Sequence, residues 1–274
     1  MNELQQVELR LLENLITVCG QLGLRCYLVC GSALGAVKYR GFIPWDDDID
    51  VALPRPDYEV FVRQAQALLP EHIFLQNYRT DSAFPYIFSK LRDSRTTYVE
   101  KSMAKLPIHH GVYIDVFPLD GYPQGKIHAA VFEIRKRSYQ HRLNTAVDLP
   151  REWRSRLHYR FYRLLGCHKQ TAKAAARFEK MLSAYPVEQS QFWCNHGNWQ
   201  GKLEYAPAEQ YGKGTIACFE GLEVPVPERF DEYLRQKYGD YTRDLPRAEQ
   251  RGHHDCLVCD LERPYADYAM RDIQ

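Results

Sequence analysis

CGSALGAVKYRGFIPWDDDIDVALPRPDYEVF, residues 30–61, is the stretch from which the rest of the chain can be read. It is entered from LRCYLVC (24–30), a short apolar run that suits a buried strand ending at Gly31-Ser32. ALGAVKYR opens a helix, IDVAL (49–53) is a second strand, and PDYEVFVRQAQALL (56–69) is a helix with proline in its first turn. Further on, FPYIFSKLRD and TTYVE read as adjacent strands, and GVYIDVF (111–117) as a strand bounded by Gly and Pro. Strands alternating with helices in this order imply an α/β layer fold with a mixed sheet.

Outside this region the pattern changes. The N-terminus is an amphipathic helix, with Leu4, Val7, Leu11, Leu15 and Val18 near one face. From about 124 to 183 the chain is helical, basic and rich in Tyr and Arg. Strand-like pieces return as TIACF and LEVPV around the turn Glu220-Gly221, and PERFDEYLRQKYG is a last helix with Pro at its start and Gly at its end. After Gly239 the tail reads as polar and extended. The expected organisation is one domain over 1–274, with a core at 1–121, a helical insertion at 122–200 and a C-terminal lobe at 201–274.

Composition narrows the function. The chain is 45% hydrophobic and 26% charged with a net charge of +1, so no overall field draws it to nucleic acid. No apolar run approaches the roughly 20 residues that cross a bilayer, and the first residues lack the basic start and apolar core of a secretory signal. The eight cysteines are scattered, and Cys26 and Cys30 sit in an apolar run, which suits reduced thiols in a cytoplasmic protein.

The chemistry centres on Asp46, Asp48 and Asp50. On an extended strand, residues two apart share a face, so these carboxylates would converge while Asp47 points away. Crowded carboxylates repel unless a cation sits among them, and Mg²⁺, or Mn²⁺ in its place, takes such oxygen ligands while leaving room for substrate phosphates. A solvated acidic turn is the plainer reading of any DDD run, but here the run leads straight into apolar IDVAL. Asp115 inside GVYIDVF is the candidate third catalytic carboxylate with Asp48 and Asp50: a carboxylate in an apolar strand needs a cation, a metal or strong hydrogen bonds, and a structural Asp paired with an Arg or a backbone turn is the plainer reading. Three carboxylates on two neighbouring strands suit one or two divalent ions and an in-line transfer at phosphorus. Gly31 and Ser32, between strand and helix, suit a phosphate-binding turn, although Ser is also a common helix cap. Lys38, Lys90 and Arg92 are candidates to neutralise donor phosphates, with Lys90 and Arg92 on one strand face; ordinary solvated cations are the competing reading.

These blocks resemble the LicD family of the nucleotidyltransferase superfamily, which includes bacterial phosphocholine transferases and fukutin-related proteins. The likeness is carried by 30–61, by HHGVYIDVFPLDG (109–121) and by FEGLEVPVPERFDEYLRQKYGDY (219–241); residues 122–200 carry no recognised motif. The resemblance implies a nucleotidyltransferase-like mixed-sheet core and a Mg²⁺-dependent reaction. It also implies transfer of a phospho-alcohol from a CDP-linked donor to a hydroxyl of a glycan or lipid-linked glycan, in the cytoplasm or at the inner membrane face. Its matching positions are Gly31 and Ser32 for phosphate, and Asp48, Asp50 and Asp115 for metal, with Asp46 joining them. Asp115 as general base toward the acceptor is a hypothesis. A metal-dependent glycosyltransferase, a nucleotidyltransferase with another donor and a non-catalytic sensor on the same fold are the alternatives.

Two remaining features are discounted. His253, His254, Cys256 and Cys259 have zinc-ligand types, but one CxxC without a second pair is weak, and structural zinc is not expected. The basic aromatic helices between 130 and 165 read as an ordinary subdomain, with peripheral membrane contact through them as a conjecture.

Overall fold

The computed structural model describes residues 1–147, 153–197, 201–247, 250, 252 and 255–268. Helix α1 (Glu3–Leu22) opens on Asn2, whose side chain accepts from Gln5 N–H while the Gln5 side chain accepts from Asn2 N–H. It ends at Gly23 in the left-handed region, φ 65°. Leu11, Leu12, Leu15 and Val18 on this helix are buried in the main core.

The sheet is built around β6 (Val112–Gly121), all ten residues of which are buried. Strand β2 (Asp50–Pro54) lies parallel to it, and β1 (Tyr27–Leu28) pairs antiparallel with β2. On the other side of β6, β4 (Ser89–Asp93) is antiparallel and carries β3 (Ile73–Gln76). The far end of β6 pairs with β7 (Phe192–Asn195), which pairs with β8 (Tyr205–Pro207). This is a seven-stranded mixed sheet, and its parallel and antiparallel pairs with flanking helices place the chain in the α/β class.

Several expected elements move. The first strand shortens to Tyr27–Leu28, and β3 is a strand that the sequence reading lacked. The TTYVE segment, β5 (Thr97–Glu100), is not a neighbour of β4; it pairs with β11 (Cys256–Asp260) in a separate two-stranded sheet. The tail, expected to be polar and extended, thus carries a strand that returns to the body and pairs with the backbone groups of β5.

Helix α3 (Arg55–Gln64) follows β2, with Pro56 in its first turn. After β6 the chain forms α4 (Lys126–Leu143), α5 (Trp153–Leu164) and α6 (Thr171–Leu182). Phe132 and Leu143 pack with Ala175, Phe178 and Leu182 in a second, smaller core. The short helix α7 (Ala208–Tyr211) precedes a hairpin of β9 (Thr215–Phe219) and β10 (Leu222–Val226). Its turn holds Glu220 at φ 49° and Gly221 at φ 87°, the positive angles that favour two-residue hairpins. Helix α8 (Phe230–Tyr238) ends at Gly239, φ 68°.

Candidate active site

Asp50 and Asp115 face each other across the parallel pair β2–β6, Cα partners in register. Neighbouring strands run about 4.8 Å apart, so register alone sets these two carboxylates side by side. Asp115 N–H donates to the Ile49 carbonyl at 2.8 Å, and Asp50 N–H donates to Ser32 Oγ at 2.8 Å. Both residues are buried. Burial, then the nearby charges of Asp48, Asp115 and Asp46, holds the Asp50 carboxyl well above the usual range.

The loop before β2 departs from expectation. Residues 46–49 are not strand; Asp46 N–H closes a turn onto the Ile43 carbonyl at 2.9 Å. Alternation therefore does not apply, and Asp47 does not point away. Carboxylate oxygens of Asp46, Asp47 and Asp48 lie within 4.8 Å of one another. Burial, followed by repulsion from Asp48 and Asp47, pushes Asp46 up to about 8. A Cβ added at Gly31 would meet Asp46 Oδ2 at 2.7 Å, so a larger residue there would push the Asp46 carboxylate away from the Gly-Ser segment.

Gly31 and Ser32 lie in the first turn of α2 (Cys30–Leu34) rather than ahead of it. The Ser32 hydroxyl oxygen is already used to orient Asp50, a role the phosphate-turn reading did not foresee. Cys30, immediately before, has φ 52°, a strained angle for a non-glycine. Its N–H donates to Tyr233 Oη of α8 at 3.1 Å. The hairpin β9–β10 clamps the next turn: Phe42 N–H donates to Glu220 Oε1 at 3.1 Å, and Glu220 N–H to the Arg40 carbonyl at 2.9 Å.

The three candidate cations are already engaged. Lys90 Nζ is 3.1 Å from Asp115 Oδ1 and 3.4 Å from Glu100 Oε2, and sits over the Tyr113 ring at 3.1 Å from its centre. Arg92, on the same strand face as expected, is fully buried; it donates to the Gly111 carbonyl at 2.6 Å and lies 3.6 Å from Glu100. Lys38 is held by Asp244 at 2.8 Å and the Arg243 carbonyl at 2.8 Å. Lys90 therefore stands at the carboxylates, Arg92 serves the surrounding scaffold, and Lys38 ties the loop to the C-terminal segment.

Sequence reasoning missed Glu8. It is 2% exposed, and burial together with Asp48, Asp47 and Asp46 holds its carboxyl well above the usual range. Gln5, one turn earlier, donates to the Asp46 carbonyl at 3.0 Å, so α1 docks directly on the acidic loop. The signal was available: Glu8 falls between Leu4 and Leu11 in the middle of the apolar stripe. His109 is no part of this chemistry. It stacks on Phe74 at 5.2 Å, its Nδ1 accepts from Gly111 N–H at 3.0 Å, and burial pushes it down to about 3. Of the discounted zinc set, His253 and His254 lie outside the described residues. Cys256 and Cys259 sit on β11, and the hydrogen bond between their thiols lowers Cys259 to about 7.

The α/β fold thus sets paired carboxylates on adjacent strands beside an acidic loop and a Gly-Ser turn. Residues 23–147 match the family described as LicD/FKTN/FKRP, nucleotidyltransferase domain. It is 28% identical over 263 residues, 93% of this chain and 96% of the relative, to the lipopolysaccharide cholinephosphotransferase LicD of Haemophilus influenzae.

Proposed function

We propose that this protein is a metal-dependent phospho-alcohol transferase. It would move phosphocholine, or a similar group, from a CDP-linked donor to a hydroxyl of a cell-surface glycan precursor. The observation that carries the reading is the in-register pair Asp50–Asp115 beside the clustered carboxylates of Asp46, Asp47 and Asp48. The name of the Haemophilus relative supports phosphocholine as the group and lipopolysaccharide as the acceptor class.

The residues fit a hard divalent cation. All the donors are carboxylate oxygens, and the burial and mutual repulsion that raise the proton affinities of Asp46 and Asp50 are what a bound cation would relieve. Asp46, Asp48, Asp50 and Asp115 would hold Mg²⁺, which when bound supplies charge neutralisation for the donor phosphates. Lys90 Nζ, 3.1 Å from Asp115 Oδ1, would hold that carboxylate in place. Ser32 fixes the start of β2 through Asp50 N–H. Trp45 and Tyr39, rings 6.2 Å apart beside the acidic loop, offer aromatic faces to a quaternary ammonium.

The test is thermal shift with CDP-choline, CDP-ribitol, CDP-glycerol, UDP-sugars and ATP, with and without Mg²⁺, on wild type and Asp48→Ala. A ligand at a hundredfold over its Kd adds about 2.7 kcal/mol. Selective, Mg²⁺-dependent stabilisation by one CDP-alcohol, lost in the variant, is expected. Stabilisation by UDP-sugars or ATP alone would overturn the reading.

A further inference from the structure

Helices α4 and α5 show solvent an apolar surface that no other described segment covers. On α5, Leu157, Phe161 and Leu164 are 61%, 57% and 87% exposed. Their spacing puts them on one helix face. On α4, Ile127, Val131 and Ile134 are 79%, 50% and 69% exposed and fall in one row, while Phe132 on the opposite side enters the smaller core. The two helices touch through Ser138 and Tyr162 at 3.2 Å and through stacked His141 and His158 rings at 4.9 Å. Both apolar rows lie outside that contact.

Charge accompanies the apolar rows. The two helices carry nine Lys and Arg against a single Glu, in a chain whose net charge is only +1. The rest of the molecule is therefore net acidic, and the excess of positive charge lies in these two helices, although Lys136 is buried against Glu133 and Tyr205. Arg156, Arg160 and Arg163 are exposed and form the row beside Leu157, Phe161 and Leu164. An apolar stripe flanked by arginines is the pattern of a helix lying in a bilayer interface. At 12 residues α5 is about 18 Å long, too short to cross the roughly 30 Å hydrocarbon core, and no described helix is long and apolar enough to span. A second copy of the chain would bring the same basic face against this one, and the repulsion disfavours it as the occupant.

We propose that the α4–α5 face seats the protein on an anionic bilayer surface, with Leu157, Phe161 and Leu164 entering the headgroup boundary and the arginine row meeting lipid phosphates. This surface stands independently of the transfer reading. In that reading, it would bring the carboxylate site to an acceptor carried on a lipid.

The test is flotation of the full chain with vesicles of phosphatidylethanolamine and phosphatidylglycerol at 3:1, against vesicles of phosphatidylcholine alone. The wild type is expected to float with the anionic vesicles and to be released by 0.5 M salt. Arg156→Glu/Arg160→Glu/Arg163→Glu is expected to weaken binding roughly a hundredfold, at about 1 kcal/mol for each lost basic contact. Leu157→Ser/Phe161→Ser/Leu164→Ser is expected to abolish flotation with the melting transition kept, since these side chains are exposed. Phe161→Trp provides a second readout that needs no disruptive change: quenching by brominated lipid beyond that of the wild-type tryptophans. Wild type that stays with the solvent fraction, triple variants that float as well as wild type, or no added quenching would each overturn the proposal. So would loss of a dimer in the apolar variant without any vesicle binding, which would make a second copy the occupant.

Discussion

Lys90 and Asp115 stand opposite each other in the β4–β6 register, and the ammonium reaches the carboxylate at 3.1 Å with both groups nearly dry. Removing one partner of such a pair leaves an uncompensated buried charge. Lys90→Met is therefore expected to cost about 3–5 kcal/mol in urea unfolding without metal, and Mg²⁺ is expected to recover part of that loss through Asp115. Asp46 makes a pH prediction. Its folded-state value is raised to about 8, so between the ordinary carboxylate range and pH 8 the folded chain keeps a proton that the unfolded chain has lost. Stability of the metal-free protein should fall as pH rises from about 4 to about 8. Asp46→Asn should flatten that fall, and a melting series in EDTA measures both. The identities of these carboxylates could be read from the sequence, because acidic residues abutting an apolar strand need a reason to be there. Their arrangement could not: strand alternation was applied to residues that form a turn, and that misplaced Asp47. Glu8 was overlooked because the apolar residues on either side of it made the helix look purely structural.

At the scale of elements, Arg55 joins three of them. From the first residue of α3 it donates to both oxygens of Asp120 at the end of β6, each at 2.7 Å, and to Glu179 of α6 at 3.0 Å. Asp120 is fully buried and Arg55 almost so, which makes the fork-to-carboxylate geometry decisive for whether this charge is tolerated. Arg55→Met is expected to destabilise by about 3–5 kcal/mol in urea, whereas Arg63→Met on the same helix, exposed and 4.0 Å from Glu59, is expected to change stability by less than about 0.5 kcal/mol. The strands β2, β4 and β6 were legible from local apolar runs with turn residues at their ends. Pairings were not: TTYVE follows β4 closely in sequence, yet its partner β11 lies over 150 residues away, and nothing local marks that choice. The Arg55 hub was illegible for the same reason, since its partners are 65 and 124 residues distant.

Across the whole molecule, the C-terminal third supports the acidic loop. Residues 219–241 contribute no carboxylate to the cluster of Asp46, Asp47 and Asp48, yet two of them hold the chain around it. Tyr233 of α8 receives the N–H of Cys30, a non-glycine held at φ 52°, and Glu220 of the hairpin receives that of Phe42. Both contacts fix the chain on either side of Gly31, where Asp46 closes in. Tyr233→Phe removes this support, together with the hydroxyl's hydrogen bond to Tyr211, while the ring keeps its place beside Tyr211, 5.8 Å away. A buried backbone N–H left without a partner costs about 1–3 kcal/mol, so unfolding should shift by that amount. The strained turn should then sample other conformations, and donor binding by calorimetry should weaken several-fold in the presence of Mg²⁺. An unchanged donor affinity alongside the stability loss would mean that α8 serves the fold alone and that the turn at Cys30 holds its shape without it.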